Sequence, residues 1–547
     1  MLDQRFIVLA DPPTPNGDLH VGHLSGPYFA ADAFTRYLRL RGAQVAFLSN
    51  FDSNQPYVLT AGRRLGVEPA AVLEHFTASI ARSLAACDIQ PDLMGCPDDH
   101  QGDFVQRFFK ELYTRGKLLV KDEEMPYCST CERFLFEAYL QGTCPNCGAT
   151  PCYGNGCESC ALPNQPKDMG DRICRTCGEP PAEMRGYRGL FLPLERYREE
   201  LSAHLESGLS RYRQPVLDLV RLALSRPLPD IPLSYVSDYG LPVTLPGFEG
   251  QVWNVRLEIL PALIDVVDKW REAQGRQERE DGWDWRGASD YEVVCFHGFE
   301  NSFQYVISFN TLLLASGLGF KLPAANITNE FYLLDGKKFS TTRNHAVWGT
   351  DILSRVSADQ LRFYLALTNP EVEQTDFVVA DFQATTDRRL TAPWNDIHAR
   401  IGAALAASRG SGDLPVSPVQ TAPLPEELAS RLDAVATGLE AAYGKDAFSL
   451  RAAAALLADH LEWMAGNVAA TLGTPRKSGS ELSAALTAAR ALAFFVGPLM
   501  PRFGTRLREA LGPEGGWDSY RSPIDPGAVR WTDDLALPRL AAADLRF

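Results

Sequence analysis

A chain of 547 residues is long enough for three or four domains and a large buried core. Its net charge of −15 argues against a function dominated by nucleic-acid binding, because neutralisation of phosphates supplies most of the affinity of such proteins. The sequence has no run of 18 apolar residues, and its N-terminus lacks the basic and apolar parts of a signal peptide. We therefore expect a cytoplasmic protein with no membrane partner.

The N-terminal segment predicts a buried parallel strand, a turn and a helix. Residues 7–10 are apolar, residues 11–18 are rich in turn formers, and the apolar residues from Leu24 to Leu38 keep the spacing of a helix, which Gly42 is expected to stop. His20 and His23 then lie on one face of the first helical turn, at the end of a strand. Backbone N–H groups and the helix dipole bind phosphates at such a position, and two imidazoles can assist them. A pair of capping or solvated histidines is the alternative.

A second strand is predicted over residues 44–48, and it leads into a polar loop that contains Asp52. A carboxylate at this edge of the sheet lies near the first loop and can hold the ammonium group of an amino acid. Capping of the next helix is the alternative for Asp52. Residues from about 56 to 118 have the spacing of helices.

Eight of the 12 cysteines form four CxxC pairs, and two such pairs can close one Zn(Cys)4 site. We therefore expect two zinc ions. Four thiolates leave no position for water, so both zincs should be structural and should fold an insert with little core of its own. Spacing alone leaves open which pairs share a zinc. Cys152 lies nearby as a spare, and Cys87, Cys96 and Cys295 are expected to be buried. The paired residues are Cys128 and Cys131, Cys144 and Cys147, Cys157 and Cys160, and Cys174 and Cys177.

Two later segments place polar residues after apolar strands. Residues 296–301 form a polar turn that suits the ribose of a nucleotide or the carboxyl end of an amino acid. Residues 335–336 read Asp-Gly, a tight-turn signal, and Lys337 and Lys338 follow where they can contact triphosphate oxygens. A solvated pair of surface lysines is the alternative.

The His-Val-Gly-His segment at residues 20–23, the segment at residues 338–342 and the cysteine pairs together resemble the methionyl-tRNA synthetase family of class I aminoacyl-tRNA synthetases. The first two correspond to its "HIGH" and "KMSKS" signatures. The resemblance implies an α/β fold: a Rossmann-type nucleotide-binding domain, interrupted by a zinc-knuckle insertion and followed by a C-terminal α-helical bundle. It also implies that the two middle cysteine pairs share one zinc and the two outer pairs share the other.

The resemblance divides the chain into five parts. These are the first half of the Rossmann catalytic domain (1–118), the connective insertion with zinc knuckles (119–245), the second half of the Rossmann domain (246–330), the KMSKS-like loop with a stem-contact-like region (331–395) and a helical anticodon-binding-like domain (396–547). A loop rich in Ser, Gly and Pro is expected over residues 405–425.

The resemblance also implies the site residues. The catalytic residues would be His20, His23, Lys337, Lys338 and Ser340. ATP would contact Asn16, Gly17, Gly22, Gly298 and Glu300. The amino acid would contact Pro12, Thr14, Asp52, Arg256 and Tyr305. The implied cofactors are ATP, Mg²⁺ that bridges its phosphates, and the two structural Zn²⁺ ions.

Four departures from the family pattern concern function. Thr341 replaces the second lysine of the KMSKS loop, and so removes a charge that acts on the transition state. Thr14 and Arg256 replace aromatic residues of the methionine pocket, which favours a polar or carboxylate-bearing amino acid unless Arg256 lies on the surface. Residues 472–477 lack the Pro-Trp pair that stacks on an anticodon, and Trp463 is expected to pack in the core. Residues 400–547 carry 15 Lys/Arg against 16 Asp/Glu, a poor balance for binding RNA.

We favour a ligase that activates an amino acid with ATP as an aminoacyl-adenylate and passes it to a small amine or hydroxylamine rather than to tRNA. Relatives of this family perform such steps in natural-product pathways that build N–N bonds. One alternative is a divergent but genuine methionyl-tRNA synthetase. The other is a non-catalytic paralogue, for which Thr341 is the best argument.

Overall fold

The structure is a computed structural model that describes residues 4–275, 285–286, 291–339, 345–410, 424–469, 472, 479–512, 515–522, 524–541 and 545. Ser340 and Thr341 lie outside the described residues, as do residues 473–478. Within these ranges, no helix has both the length and the apolar composition that crossing a bilayer requires.

Five parallel strands form the central sheet, in the spatial order Ala325–Asn329, Tyr291–Gly298, Arg5–Ala10, Gln44–Asn50 and Leu93–Gly95. The central strands are almost entirely buried, as expected for a parallel sheet covered on both faces. The chain order reverses at the first strand, because the strands that follow it lie on one side and those after residue 290 lie on the other. Open α/β sheets bind ligands at the carboxyl ends of the strands at such a reversal.

Helices cover the sheet and build the C-terminal part of the chain. Their bounds are Val21–His23, Phe29–Leu40, Pro56–Leu65, Pro69–Ala86, Asp99–Thr114, Arg198–Ser207, Gln214–Leu224, Val255–Ala273, Asn310–Ser316, Gly349–Leu353, Ala358–Leu367, Val379–Thr386, Ala392–Gly410, Glu426–Tyr443, Leu450–Trp463, Gly479–Phe495 and Pro501–Leu511. Wider π-type turns adjoin them at Leu24–Tyr28, Phe303–Phe309, Asp387–Thr391 and Met464–Ala469.

The helix predicted after the first strand is interrupted. Gly26 leaves the helical region with ψ −137°, and Pro27 follows it inside the wide turn Leu24–Tyr28. Since proline has no N–H to donate, the regular ladder resumes only at Phe29–Leu40. The predicted stop is confirmed, because Gly42 has a φ of +85°.

Antiparallel sheets form the insertion that follows the helix Asp99–Thr114. One has four strands, in the order Asp230–Pro232, Glu183–Pro193, Leu119–Cys128 and Arg133–Phe134, and another has three, in the order Cys152–Tyr153, Leu140–Thr143 and Gly170–Cys174. Ser234–Val236 pairs with Gln251–Trp253, so the predicted boundary at residue 246 falls between two paired strands. The chain then returns to the central sheet through the helix Val255–Ala273, which packs on Gln44–Asn50.

The C-terminal half is helical, as predicted, and it packs directly on the first half of the sheet. Arg362 is fully buried and donates to Asp32 at 2.7 Å and to the Leu499 carbonyl at 2.7 Å, so it joins three segments of the chain. The predicted loop over residues 405–425 is wrong for its first part, because the helix Ala392–Gly410 continues through it. Residues 411–423 lie outside the described residues.

A small sheet carries the KMSKS-like segment. Its strands are Lys337–Lys338, Tyr332–Leu334 and Thr375–Phe377, in that order. The tight turn predicted at residues 335–336 is confirmed, with φ values of +51° and +72°. The α/β architecture, with an interrupting insertion and a helical C-terminal part, is therefore confirmed, whereas the division into five domains stays a prediction.

Candidate active site

Two adjoining cavities open at the carboxyl ends of the central strands, where the strand order reverses. We call the first the arginine cavity; it has a volume of about 330 Å³, and Asp52 and Arg256 are among its lining residues. We call the second the lysine cavity; it has a volume of about 260 Å³, and His20 and Lys338 are among its lining residues. The residues that line both are Asp11, His23, Tyr28, Glu158 and Glu300.

His20 and His23 cap the first helix reciprocally. Nδ1 of His20 accepts a hydrogen bond from the backbone N of His23 at 3.3 Å, and Nδ1 of His23 accepts one from the backbone N of His20 at 3.3 Å. The two rings stack with their centroids 3.7 Å apart. Because each Nδ1 is an acceptor, each neutral ring carries its proton on Nε2.

Both histidines of this pair are neutral near pH 7. Burial lowers the pKa of His20 well below 6.5, with a smaller contribution from His23. Burial also lowers the pKa of His23, to about 4. The pair therefore offers two Nε2–H donors to a phosphate rather than two positive charges.

The hairpin of the KMSKS-like segment covers the start of this helix. The ring of Phe339 stacks on His20, with the centroids 4.4 Å apart and the planes at 12°. A Cβ built on Gly22 would lie 2.9 Å from Cδ2 of Phe339. The place where we predicted the nucleotide, against Gly22, is thus occupied by the Phe339 ring, and a nucleotide bound there would have to displace that ring.

Only one of the two predicted lysines reaches the site. Lys338 lines the lysine cavity, where its Nζ lies 2.9 Å from the carboxylate of Glu158 and 3.7 Å from the centre of the Phe331 ring. Lys337 is exposed on the hairpin and lines neither cavity, so its position does not support the predicted catalytic role.

Asp52 lies in the arginine cavity, where we predicted it. It is buried, and Oγ1 of Thr14 donates to its Oδ2 at 3.3 Å. Burial raises the pKa of Asp52 well above 3.8; the hydrogen bond with Gln55 opposes that shift, and the nearby Glu258 adds to it. Besides His23 and Glu300, the other predicted residues that line the same cavity are Pro12, Thr14, Asn16, Gly17 and Arg256.

Arg256 faces the cavity, but its charge is already offset. Nε of Arg256 donates to Oε1 of Glu137 at 2.5 Å, and the Glu137 side chain is 1% exposed. The side chain of Gln304 holds the backbone of Arg256, with Nε2 2.7 Å from its carbonyl oxygen. The surface alternative is therefore wrong. The ion pair with Glu137 engages Nε of Arg256, and recognition of a polar or carboxylate-bearing amino acid by Arg256 stays a prediction.

A hydrogen-bond network that the sequence analysis missed lies under the arginine cavity. Oδ1 of Asp11 accepts from the Tyr305 hydroxyl at 2.6 Å, and Oδ2 accepts from the Asn301 amide at 2.6 Å. We predicted that Tyr305 contacts the amino acid. Tyr305 is instead 1% exposed, and its ring stacks on His297, so it supports the wall of the cavity from behind. Burial raises the pKa of Asp11 to about 6, against the two hydrogen bonds and the field of Arg256.

Asp11 carried a signal that could have been read in the sequence. It comes directly after the buried strand Arg5–Ala10, at the edge of the sheet where ligands bind. Glu137 and Glu158 carried no such signal, because both belong to the insertion and reach the site only through the fold.

Glu300 and Gly298 lie at the end of the strand Tyr291–Gly298, as predicted. Glu300 lines both cavities, and burial raises its pKa to about 8, so its carboxyl group is mostly protonated at pH 7. A Cβ on Gly298 would lie 2.4 Å from Oε2 of Glu300, so a larger residue there would require the Glu300 carboxyl group to move.

The cysteine sulfurs gather into two groups of four, and within each group they lie within 4.8 Å of one another. This grouping, outer pairs together and middle pairs together, is the one implied by the resemblance. Four thiolates fit structural zinc, which would hold the knuckles folded. Cys152 belongs to neither group, Cys87 and Cys295 are buried as predicted, and the prediction for Cys96 is wrong because Cys96 is exposed. The groups are Cys128, Cys131, Cys174 and Cys177, and Cys144, Cys147, Cys157 and Cys160.

Known proteins resemble this chain over most of its length. The family model described as tRNA synthetases class I (M) matches residues 7–401. The methionine–tRNA ligase of Thermomicrobium roseum is 32% identical over 394 residues, which cover 71% of this chain and 66% of that protein, just under two thirds of its length. The methionine–tRNA ligase of Chlorobaculum tepidum is 28% identical over 561 residues, which cover 98% of this chain and 76% of that protein.

A solved structure shows the same fold. It is the Mycobacterium tuberculosis methionyl-tRNA synthetase bound by methionyl-adenylate, with a TM-score of 0.73 and 18% identity. The match covers 98% of this chain and 99% of that one.

Proposed function

Because this chain belongs to the methionyl family of class I tRNA synthetases, we propose that it activates an amino acid with ATP and transfers the aminoacyl group to an acceptor. The observation that supports this most directly is the pair of adjoining cavities with different chemistry. The lysine cavity offers hydrogen-bond donors and a lysine, which suit phosphates, and the arginine cavity offers the buried carboxylate of Asp52, which suits an ammonium group.

In the proposed reaction, a carboxylate oxygen of the amino acid attacks the α-phosphorus of ATP and pyrophosphate leaves. Nε2–H groups of His20 and His23 donate to phosphate oxygens, and Lys338 exchanges Glu158 for the triphosphate. Asp52 holds the α-ammonium group and so orients the carboxylate for attack. Mg²⁺ bound with ATP would add positive charge at the phosphates. These residues act by positioning and by stabilising charge.

ATP–pyrophosphate exchange with each amino acid in turn, in the absence of tRNA, tests this proposal. We expect exchange with at least one amino acid. A matched pair of variants tests the site: Lys338→Ala should lower exchange strongly, whereas Lys337→Ala should lower it little. Silence of the folded protein with every amino acid would overturn the proposal and favour the non-catalytic reading.

We propose further that the acceptor is a small amine or hydroxylamine, of the kind used to build N–N bonds in natural products. The near balance of 15 Lys/Arg and 16 Asp/Glu over residues 400–547 supports this, since RNA binding needs excess positive charge. Trp463 adds to the argument, because it is half-buried against the core with the Arg431 guanidinium 5.9 Å from its ring centre, rather than free to stack on a base.

Transfer to tRNA is the second candidate, and the names of the relatives favour it. The two are separated by incubating the protein with ATP, its amino acid and either tRNA or a panel of amines and hydroxylamines. A product that forms only with tRNA would overturn the small-molecule acceptor. Exchange with methionine alone would favour a genuine methionyl-tRNA synthetase.

A further inference from the structure

We propose that Asp11 recognises the side chain of the amino acid, and that this side chain carries a hydrogen-bond donor: a hydroxyl, amide or ammonium group. The inference rests on the proposed adenylation, whose substrate it narrows. Asp11 lines both cavities, and in the arginine cavity it lies close enough to Asp52 for its charge to raise the pKa of Asp52. An amino acid held by its ammonium group at Asp52 therefore lies near Asp11.

The Asp11 carboxylate is held in one orientation. The Tyr305 hydroxyl and the Asn301 amide each donate to one of its oxygens at 2.6 Å, and its backbone N donates to the Phe296 carbonyl at 2.9 Å. Tyr305 is itself fixed, because its ring stacks on His297 with the centroids 4.4 Å apart. A carboxylate oxygen accepts more than one hydrogen bond, so each oxygen keeps capacity for a donor from the cavity.

The charge of Asp11 is not balanced by the protein. Among the described residues, Asp11 takes part in no ion pair, and the guanidinium that influences it, that of Arg256, is bound to Glu137 at 2.5 Å. Burial raises the pKa of Asp11, which is the expected response of a carboxylate that has lost water without gaining a cation. A hydrogen-bond donor on the ligand would supply the partner that the Asp11 carboxylate lacks.

The same arrangement excludes a thioether or alkyl side chain. Such a group would remove the remaining water from the carboxylate and offer no donor in return, and buried polar groups without a partner are costly. Sites built to hydrogen-bond a substrate reject analogues that lack the donor by about 10⁴-fold or more.

The test compares amino acids of similar shape in ATP–pyrophosphate exchange: threonine with valine, glutamine with methionine, and lysine with norleucine. We expect the donor-bearing member of the productive pair to have a kcat/KM at least about 100-fold higher, a threshold set below the roughly 10⁴-fold discrimination that such sites reach. Asp11→Asn should raise the KM for the amino acid at least about 10-fold and leave the KM for ATP unchanged. Tyr305→Phe should shift the same KM less, because it only loosens Asp11.

Asp18→Asn is the matched control. Asp18 lines the same cavity, and its carboxylate accepts from the Ser79 hydroxyl. The Asp18→Asn substitution removes one carboxylate from the cavity and leaves the hydrogen bonds of Asp11 intact. The KM for the amino acid should therefore stay within about 2-fold of the wild type. An equal effect of both variants would mean that only overall charge matters, and would overturn the inference.

Titration calorimetry with the same amino acids separates the two proposals. Donor-dependent binding that Asp11→Asn abolishes, with no exchange for any amino acid, would support the recognition by Asp11 and overturn the ligase. Preferential binding or exchange of methionine or norleucine would overturn the role of Asp11 and leave the ligase standing. A change in the KM for ATP alone would also overturn it, because Asp11 would then serve the nucleotide.

Discussion

The lysine cavity and the arginine cavity share a wall but are built on different constraints. In the lysine cavity, the imidazoles that suit phosphates also hold the backbone in place, since His20 and His23 cap the helix on which they stand. In the arginine cavity, Asp11 stands at a strand end, Asp52 in a loop and Arg256 in a helix, and none of the three side chains caps a helix. The comparison teaches that this fold can keep its phosphate chemistry while the recognition of the amino acid changes.

The largest effect is expected on the phosphate side. His23→Ala should lower the kcat of exchange by about 100-fold or more for every amino acid and leave their order of preference unchanged. His23→Gln is the control, because glutamine at this helix position can still close the reciprocal cap but offers no imidazole. Exchange kinetics check the prediction, and a changed order of preference would break the separation between the two cavities.

Arg256→Gln should lower the free energy of unfolding by about 3 kcal/mol. The substitution leaves Glu137, which is 1% exposed, without its cation, and a buried charge that loses its partner is strongly destabilising. The double variant Arg256→Gln with Glu137→Gln should recover most of the loss. Urea unfolding followed by tryptophan fluorescence measures both, and a stable single variant would show that Arg256 is free to serve the substrate.

Asp11→Asn should raise the free energy of unfolding at pH 8 by about 1–2 kcal/mol. The pKa of Asp11 is raised from 3.8 to about 6, so the folded protein binds its proton more tightly than the unfolded chain does. Stability therefore falls as pH rises from about 4 to about 6, and the variant escapes that loss.

The same measurement at pH 4 is the control for Asp11→Asn, because the gain should vanish there. The ionisable groups that act on Asp11 or respond to it are Arg256, Asp52, Glu300, Tyr28, Tyr305 and Cys295, and all of them are present in both proteins. A gain that is equal at both pH values would show that ionisation of Asp11 has no part in it.

The smallest effect is expected where the insertion meets the hairpin. Glu158→Gln releases Lys338 for the triphosphate and should lower the KM for ATP about 2- to 5-fold, since an exposed ion pair is worth less than about 1 kcal/mol. Glu123→Gln, which breaks the ion pair with Lys167 elsewhere in the insertion, should leave that KM unchanged. The decrease in the KM for ATP caused by Glu158→Gln should become smaller in high salt, because salt screens exposed charges. An undiminished decrease in high salt would show that the ion pair is not its cause.

Much of the architecture followed from local patterns. The apolar run at residues 7–10 and the polar turn after it predicted the first strand and the helix start, because strand burial and helix capping depend on neighbours in the chain. The CxxC pairs predicted the knuckles for the same reason, since the ligands of each half-site are only three residues apart. The helix break at Gly26 and Pro27 was missed, although proline in a helical stretch is a local signal.

What the amino-acid sequence determined by itself was the order of these elements and the residue types at the edge of the sheet. Only the tertiary structure decided which side chains meet there: Arg256 with Glu137, 119 residues apart; Lys338 with Glu158, 180 apart; and Asp11 with Tyr305, 294 apart. Each pairing joins segments brought together by the packing of the insertion or of the two halves of the sheet, and no short-range pattern encodes it. The partner of a charge decides whether it binds a substrate or holds the wall of the site.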